Sequence, residues 1–169
     1  MKHVIVYVNG DIVTQQDELR EKILKEMKAD YSDALDRNFP LAKEMIRVTA
    51  DGKVDVVVKD NLTGPDKVAL YLIGKRYAHR ALLANSEFVK NNELKSELGI
   101  KEGSLLPWLK ELRDNNMLVP GPKEGRESTQ AIALNVVESV LKRINGRMKK
   151  TNGETPTVSP NGENQGSDY

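Results

Sequence analysis

Few side chains in this sequence are of the types that catalyse reactions or hold metal ions. The 169 residues include no cysteine, which excludes disulfides, thiolate zinc sites and cysteine catalysis, and the histidines are His3 and His79. No Ser/His/Asp arrangement, nucleotide-binding glycine motif or metal-spaced carboxylate cluster is apparent. The segment GPKEGRE lacks the Gly-Lys-Ser/Thr ending of a phosphate loop. We therefore expect no enzyme activity, catalytic residue, metal ion or cofactor.

The charged side chains are distributed unevenly along the chain. Residues 62–150 carry 16 basic and 10 acidic side chains, whereas residues 1–61 and 151–169 are both net acidic. A basic module between acidic ends indicates a polyanionic partner such as nucleic acid. Two basic clusters each have two interpretations. KRYAHR (Lys75–Arg80) could contact phosphates or be the solvated end of a helix, and INGRMKK (Ile144–Lys150) could bind DNA or complement a helix dipole.

Residues 1–61 are predicted to form a small N-terminal α+β unit. Asn9-Gly10 and Asp51-Gly52 each lie between β-rich runs, which predicts two hairpins. Between them, Thr14 and Asp17 resemble a capping box for one amphipathic helix. Its apolar stripe consists of Leu19, Ile23, Leu24, Met27, Tyr31 and Leu35. This stripe could be an intramolecular core face or a dimer interface.

Residues 62–150 are predicted to begin with three helices. Thr63 and Asp66 form a capping box for a first helix that runs towards Ala84 and should be the central buried one. A short second helix, with Asn91 or Asn92 as its cap, ends at Gly99, which can adopt the left-handed C-cap conformation. The third helix is expected over about 102–115.

A strand, a loop and a second strand follow the three helices. The strand-like ends are Met117–Val119 and Thr129–Ile132, separated by the Gly/Pro-rich PGPKEGRES. Asn135 is then predicted to cap a last helix. Residues 151–169 are rich in Gly, Pro, Ser, Thr and Asn, so we expect a disordered tail. No apolar run is long enough to span a membrane, and we expect a cytoplasmic protein.

From about Leu62 to Arg147 the sequence resembles the winged helix–turn–helix superfamily. The L-x-x-x-L-G-I turn, the following serine and the L-x-x-x-L-x-x-L spacing are similar to those of prokaryotic, especially archaeal, regulators. The residues that carry this resemblance are Leu94, Leu98, Gly99, Ile100, Ser104, Leu105, Leu109, Leu112, Met117 and Val119. The expected fold class is therefore α+β, with a winged helix–turn–helix domain at 62–150.

This resemblance implies a homodimeric transcription regulator that binds double-stranded DNA. The third helix would enter the major groove, and the loop between the strands would contact the DNA backbone or the minor groove. Carried over by position, the DNA-binding residues are Lys101, Gly103, Ser104, Leu106, Pro107, Lys110, Arg113, Lys123 and Arg126.

The same helix also supports a different function. Leu106 and Pro107 offer no hydrogen bond to a base, and Trp108 could be either a core anchor or an exposed aromatic for a partner. The alternative is a winged-helix protein–protein interaction module, an adaptor in a larger complex. The N-terminal unit would then be a second docking surface for a protein partner.

Overall fold

The computed structural model describes residues 6–8, 11–13, 15–27, 31–58, 61–101 and 103–153. The chain is a mixed α+β protein with small antiparallel sheets. Its contacts divide it into two compact units, Met1–Asp33 and Ala34–Tyr169. The composition of the sequence placed this boundary at residue 61 instead. The difference arises because the helix over Ala34–Met45 and the hairpin over residues 46–56 pack against the helix over Gly64–Arg80.

The first unit contains a hairpin and a helix. Strand β1 (Val6–Val8) pairs antiparallel with β2 (Asp11–Val13), and helix α1 (Gln15–Glu26) follows. The predicted hairpin is confirmed, although its Asn9-Gly10 turn and Thr14 of the predicted capping box lie outside the described residues. The apolar side chains of α1, Leu19, Ile23 and Leu24, are exposed, as is Met27 directly after the helix.

A separate helix, α2 (Ala34–Met45), opens the second unit. Leu35 belongs to α2 and is 8% exposed, so the prediction of one helix carrying a stripe from Leu19 to Leu35 is wrong. The buried face of α2 consists of Ala34, Leu35, Asn38, Ala42 and Met45. Pro40 lies inside α2. Because proline lacks the N–H of a helical hydrogen bond, a helix over these residues is hard to predict from the sequence.

The second predicted hairpin follows α2 directly. Strand β3 (Ile46–Val48) pairs antiparallel with β4 (Val54–Val56), and the turn contains Asp51-Gly52 as expected. Gly52 has a φ of +76°, and a Cβ placed on it would lie 2.1 Å from the carbonyl oxygen of Leu83. The hairpin turn therefore approaches the end of the central helix more closely than any side chain would allow.

Helix α3 (Gly64–Arg80) is the central helix of the second unit. Its predicted capping box is confirmed: the Asp66 amide donates to Thr63 Oγ1 at 3.2 Å, and the Thr63 amide donates to the Asp66 carboxylate at 3.4 Å. Val68 to Ile73 are almost completely buried, which confirms the prediction of a buried helix. The helix ends at Arg80, before the predicted end near Ala84.

A three-stranded antiparallel sheet and two helices pack along α3. The elements in chain order are β5 (Val89–Lys90), α4 (Asn91–Leu98), α5 (Leu105–Asp114), β6 (Leu118–Pro120) and β7 (Thr129–Ile132). The sheet order is β5-β7-β6, with Val89 opposite Gln130 and Leu118 opposite Ile132. Strand β5 was not predicted, because two residues are too few for a periodic signal. Gly99 ends α4 with φ 60° and ψ 37°, as expected for a left-handed C-cap.

The last helix, α6 (Val137–Gly153), packs against α2 and α3. It buries Val137, Val140, Leu141 and Ile144. Asn135 lies inside a 3₁₀ turn, Leu134–Val136, so the predicted cap at this residue is wrong although the helix itself is confirmed. Most of the tail predicted to be disordered, from 154 onwards, lies outside the described residues. Among the described helices, none is long and apolar enough to cross a membrane.

Candidate nucleic-acid interface

Helix α5 buries three leucines on one side and exposes its charged residues on the other. Leu105, Leu109 and Leu112 are buried, and these are the core positions that the spacing predicted. The residues on the exposed side are Leu106, Pro107, Lys110, Glu111, Arg113 and Asp114. Lys110 Nζ forms an ion pair with Asp114 at 2.5 Å, and Glu111 and Arg113 carry opposite charges. The exposed face of α5 therefore has no net charge.

Five of the predicted DNA-binding residues lie at the start of this helix. Lys101 and Gly103 are exposed in the loop before α5, and the half-buried Ser104 donates its amide to the Lys101 carbonyl at 3.2 Å. Leu106 is 63% exposed. Because α5 begins at Leu105 rather than near residue 102, Pro107 is in its first turn, where no amide hydrogen is needed. Four of these five residues are therefore exposed, and Ser104 is half-buried.

The loop over residues 121–128 connects β6 and β7 and carries the remaining predicted residues, Lys123 and Arg126. Its acidic side chains bind residues of β5 and α4. Lys90 Nζ pairs with Glu124 at 2.7 Å, and the Asn92 side-chain amide donates to Glu127. The hydrogen bond and charge of Glu124 raise the pKa of Lys90 above its usual value, which keeps this ion pair charged. Lys123 and Arg126 are exposed and have no ion-pair partner within the described part of the chain. The loop therefore presents its positive charges to solvent.

The C-terminal end of α5 lies beside the base of this loop. Arg113 lines a cleft of about 250 Å³ together with Pro120 of β6 and Ser128 and Thr129 at the start of β7. The structure thus places Arg113 beside the 121–128 loop. The DNA-binding residues implied by the resemblance include Arg113 and two residues of this loop, Lys123 and Arg126.

The N-terminal half of α5 contacts the first turn of α3. A Cβ placed on Gly64 would lie 2.1 Å from Cε2 of Trp108, so the indole packs directly against Gly64. Trp108 is half-buried and belongs to the apolar core rather than to an exposed patch. Of the two roles that the sequence left open for this residue, the packing supports the core anchor.

The basic end of α6 meets α3 at the same place. Asp66, two residues after Gly64, has a side chain 2% exposed and accepts hydrogen bonds from Arg143, at 2.8 Å, and from Arg147. Lys149 and Lys150 follow within one turn of Arg147 and are exposed. The INGRMKK cluster therefore has a structural part, Arg147, which fixes α6 to α3, and an exposed basic part, Lys149 and Lys150.

Two residues of the KRYAHR cluster form hydrogen bonds and ion pairs within the protein. Neither interpretation of this cluster from the sequence included that role. Arg76 is buried and donates from Nε, at 3.0 Å, and Nη2, at 2.6 Å, to the carbonyl oxygen of Ile132. Its Nη1 pairs with Glu87 at 2.5 Å. Lys75 pairs with Glu93 at 3.1 Å. The spacing of the sequence could not show this, because the partners lie on β7 and on segments after the helix.

A buried phenol completes the contact between α3 and α4. Tyr71 donates its hydroxyl hydrogen to Glu93 at 2.9 Å. Burial, and then the negative charge of Glu93, raise the pKa of Tyr71 far above its usual value, so it remains a donor. Glu93 and Lys75 line a polar cleft of about 350 Å³, whose principal charges pair with one another.

The comparisons with known proteins provide no family for this chain. No protein-family model, curated protein or solved structure matches it. Within the described ranges, no group of three or more His, Cys, Asp or Glu side chains could hold a metal ion. The function must therefore be argued from the arrangement of charge and exposed surface around α5.

Proposed function

We propose that the segment from α3 to α6 is a winged helix–turn–helix and that the protein is a cytoplasmic transcription regulator that binds duplex DNA. Two features support the fold. The elements follow the order helix, short strand, helix, helix and hairpin, with β7 between β5 and β6 in the sheet. A tight turn at Gly99 leads from α4 towards α5, as in helix–turn–helix motifs.

The observation that carries the proposal is the group of exposed cations at and beside the C-terminal end of α5. At one end are Arg113 and the loop residues Lys123 and Arg126, whose acidic neighbours are tied to Lys90 and Asn92. For the other end, we infer that Lys149 and Lys150 lie near the start of α5, because they follow Arg147 in α6 and because Arg147 and Trp108 both contact the first turn of α3. A helix of ten residues spans about 15 Å, which is comparable to the width of the major groove, about 12 Å. The two groups are thus suited to contact phosphates on either side of a groove that α5 occupies.

The exposed face of α5 offers few groups that could bind bases, whereas the cations at its ends are suited to bind phosphates. Lys110 is paired with Asp114, and Leu106 could contact only an apolar group such as a thymine methyl. We therefore propose that most of the affinity comes from phosphate contacts and is strongly dependent on salt.

Fluorescence anisotropy with a mixed-sequence duplex tests this function. If the five exposed cations at the ends of α5 each neutralise one phosphate, raising salt from about 50 to 200 mM should weaken binding roughly 500-fold. At a fixed salt concentration, Lys110→Glu should weaken binding, whereas Lys22→Glu on α1, outside the basic module, should have a much smaller effect. Absence of binding at low salt would contradict the proposal, and equal effects of the two variants would exclude α5 from the interface.

An adaptor function is favoured by one observation, the exposed Leu106 at the start of a helix face that has no net charge. Since Trp108 is packed against Gly64, the apolar patch available to a protein partner is confined to Leu106 and Pro107. If Leu106→Glu abolished binding to a protein partner while leaving duplex affinity unchanged, the adaptor would replace DNA binding as the proposed function of this face.

A further inference from the structure

An apolar groove lies between the C-terminal half of α2 and the exposed edge of β3. Its volume is about 450 Å³, and its lining includes Phe39, Ile46, Val48 and Tyr77. Phe39 is 54% exposed, and its ring meets that of Tyr77 edge-on with the centroids 6.1 Å apart. An exposed aromatic ring beside an apolar groove is a surface that gains free energy when another molecule covers it.

The charges along α2 indicate which molecule that is. Asp36 and Lys43 are seven residues apart, which is two helical turns, so they lie on the same side of the helix with Phe39 and Pro40 between them. Both side chains are exposed. Asp36 forms a loose pair with Arg80 at 4.0 Å, between two largely exposed side chains, and Lys43 has no ion-pair partner among the described residues.

This pattern is complementary to itself when it is reversed. A two-fold axis requires that if residue i of one copy contacts residue j of the other, then j also contacts i. An antiparallel copy of α2 places a negative charge opposite a positive one at both ends of the helix, with an aromatic ring near the centre. An unrelated partner would impose no such symmetry on α2.

We propose that α2 and its groove form the interface of a symmetric homodimer. The two-fold axis passes between Phe39 and Pro40, so that Asp36 of each copy faces Lys43 of the other. Each Phe39 then packs against the apolar groove of the other copy. This proposal does not depend on DNA binding, and it gives an interface to the homodimer that the sequence led us to expect.

Sedimentation equilibrium of the full-length chain, without nucleic acid, tests the interface. We expect a dimer at micromolar concentration and a monomer for Phe39→Asp. Asp36→Lys and Lys43→Asp each bring like charges together twice per dimer and should each weaken association about tenfold. Lys53→Asp, on the exposed β3–β4 turn, makes the same change of charge away from the groove and should leave the dimer unchanged.

Mixing the two charge variants provides the decisive measurement. A heterodimer of Asp36→Lys with Lys43→Asp has opposite charges at both contacts, so the mixture should associate about as tightly as the wild type. These positions are exposed, and unchanged circular dichroism should show that the variants fold. A monomeric wild type, a dimer that survives Phe39→Asp, or a mixture that associates no better than either variant alone would overturn the proposal.

Discussion

The indole of Trp108 occupies the space that any side chain on Gly64 would need, with Cε2 2.1 Å from the position of a Cβ on that glycine. The contact joins α5 to the first turn of α3, next to the Asp66 carboxylate that binds Arg143 and Arg147. Three helices therefore meet within one turn of α3. The position of α5, and with it the proposed interface, depends on this junction.

Gly64→Ala should destabilise the protein by about 1–3 kcal/mol, because the added methyl group would force the indole out of its packed position. Urea-induced unfolding followed by circular dichroism measures the change. Tryptophan fluorescence should also shift, since Trp108 is the single tryptophan in the chain.

Gly146→Ala is the matched control for this substitution. Gly146 lies inside α6, and a Cβ on it would have nothing within 4 Å. Alanine should therefore stabilise the protein by about 0.5–1 kcal/mol through helix propensity alone. If both glycine substitutions changed the free energy of unfolding in the same direction, the Trp108 contact would not explain the first result.

Arg76→Lys should cost about 1–3 kcal/mol although it retains the positive charge. Lysine cannot supply both hydrogen bonds to the Ile132 carbonyl together with the ion pair to Glu87. Arg80→Lys, four residues later and exposed, should change the free energy of unfolding by less than about 0.5 kcal/mol. Equal losses in urea unfolding would contradict the internal role of Arg76.

The features that could be predicted from sequence are those set by neighbouring residues. The Thr63–Asp66 capping box and the Gly99 C-cap need only a few adjacent residues, and both were predicted. The role of Arg76 could not be predicted, because its partners Glu87 and Ile132 lie in later segments that reach it only in the folded protein. For the same reason, the sequence predicts which residue types the candidate interface contains. It could not predict that Glu124 and Glu127 bind Lys90 and Asn92.

Alkaline conditions should weaken the contact between α2 and α3 through Tyr77. Its hydroxyl donates to the Leu35 carbonyl at 2.7 Å, and burial, followed by the charge of Asp36, raises the pKa of Tyr77 to about 12. An unfolded tyrosine ionises near pH 10, so the stabilising contribution is complete below about pH 10 and is lost as the pH rises towards 12. The free energy of unfolding should fall over this range, and less so in Tyr77→Phe. A decline of the same size in Tyr77→Phe would assign it to other groups.

The proposed DNA contacts at the two ends of α5 predict additive effects on salt dependence. Replacing Lys123 and Arg126 with glutamine should reduce the slope of log affinity against log salt by about two, and replacing Lys149 and Lys150 should do the same. Lys22 and Lys25, which are exposed on α1 and lie outside the basic module, provide a control pair with the same loss of charge. Anisotropy titrations over a range of salt concentrations measure the slopes. A control pair as effective as the other two would indicate attraction by overall charge, with no phosphate contacts at the ends of α5.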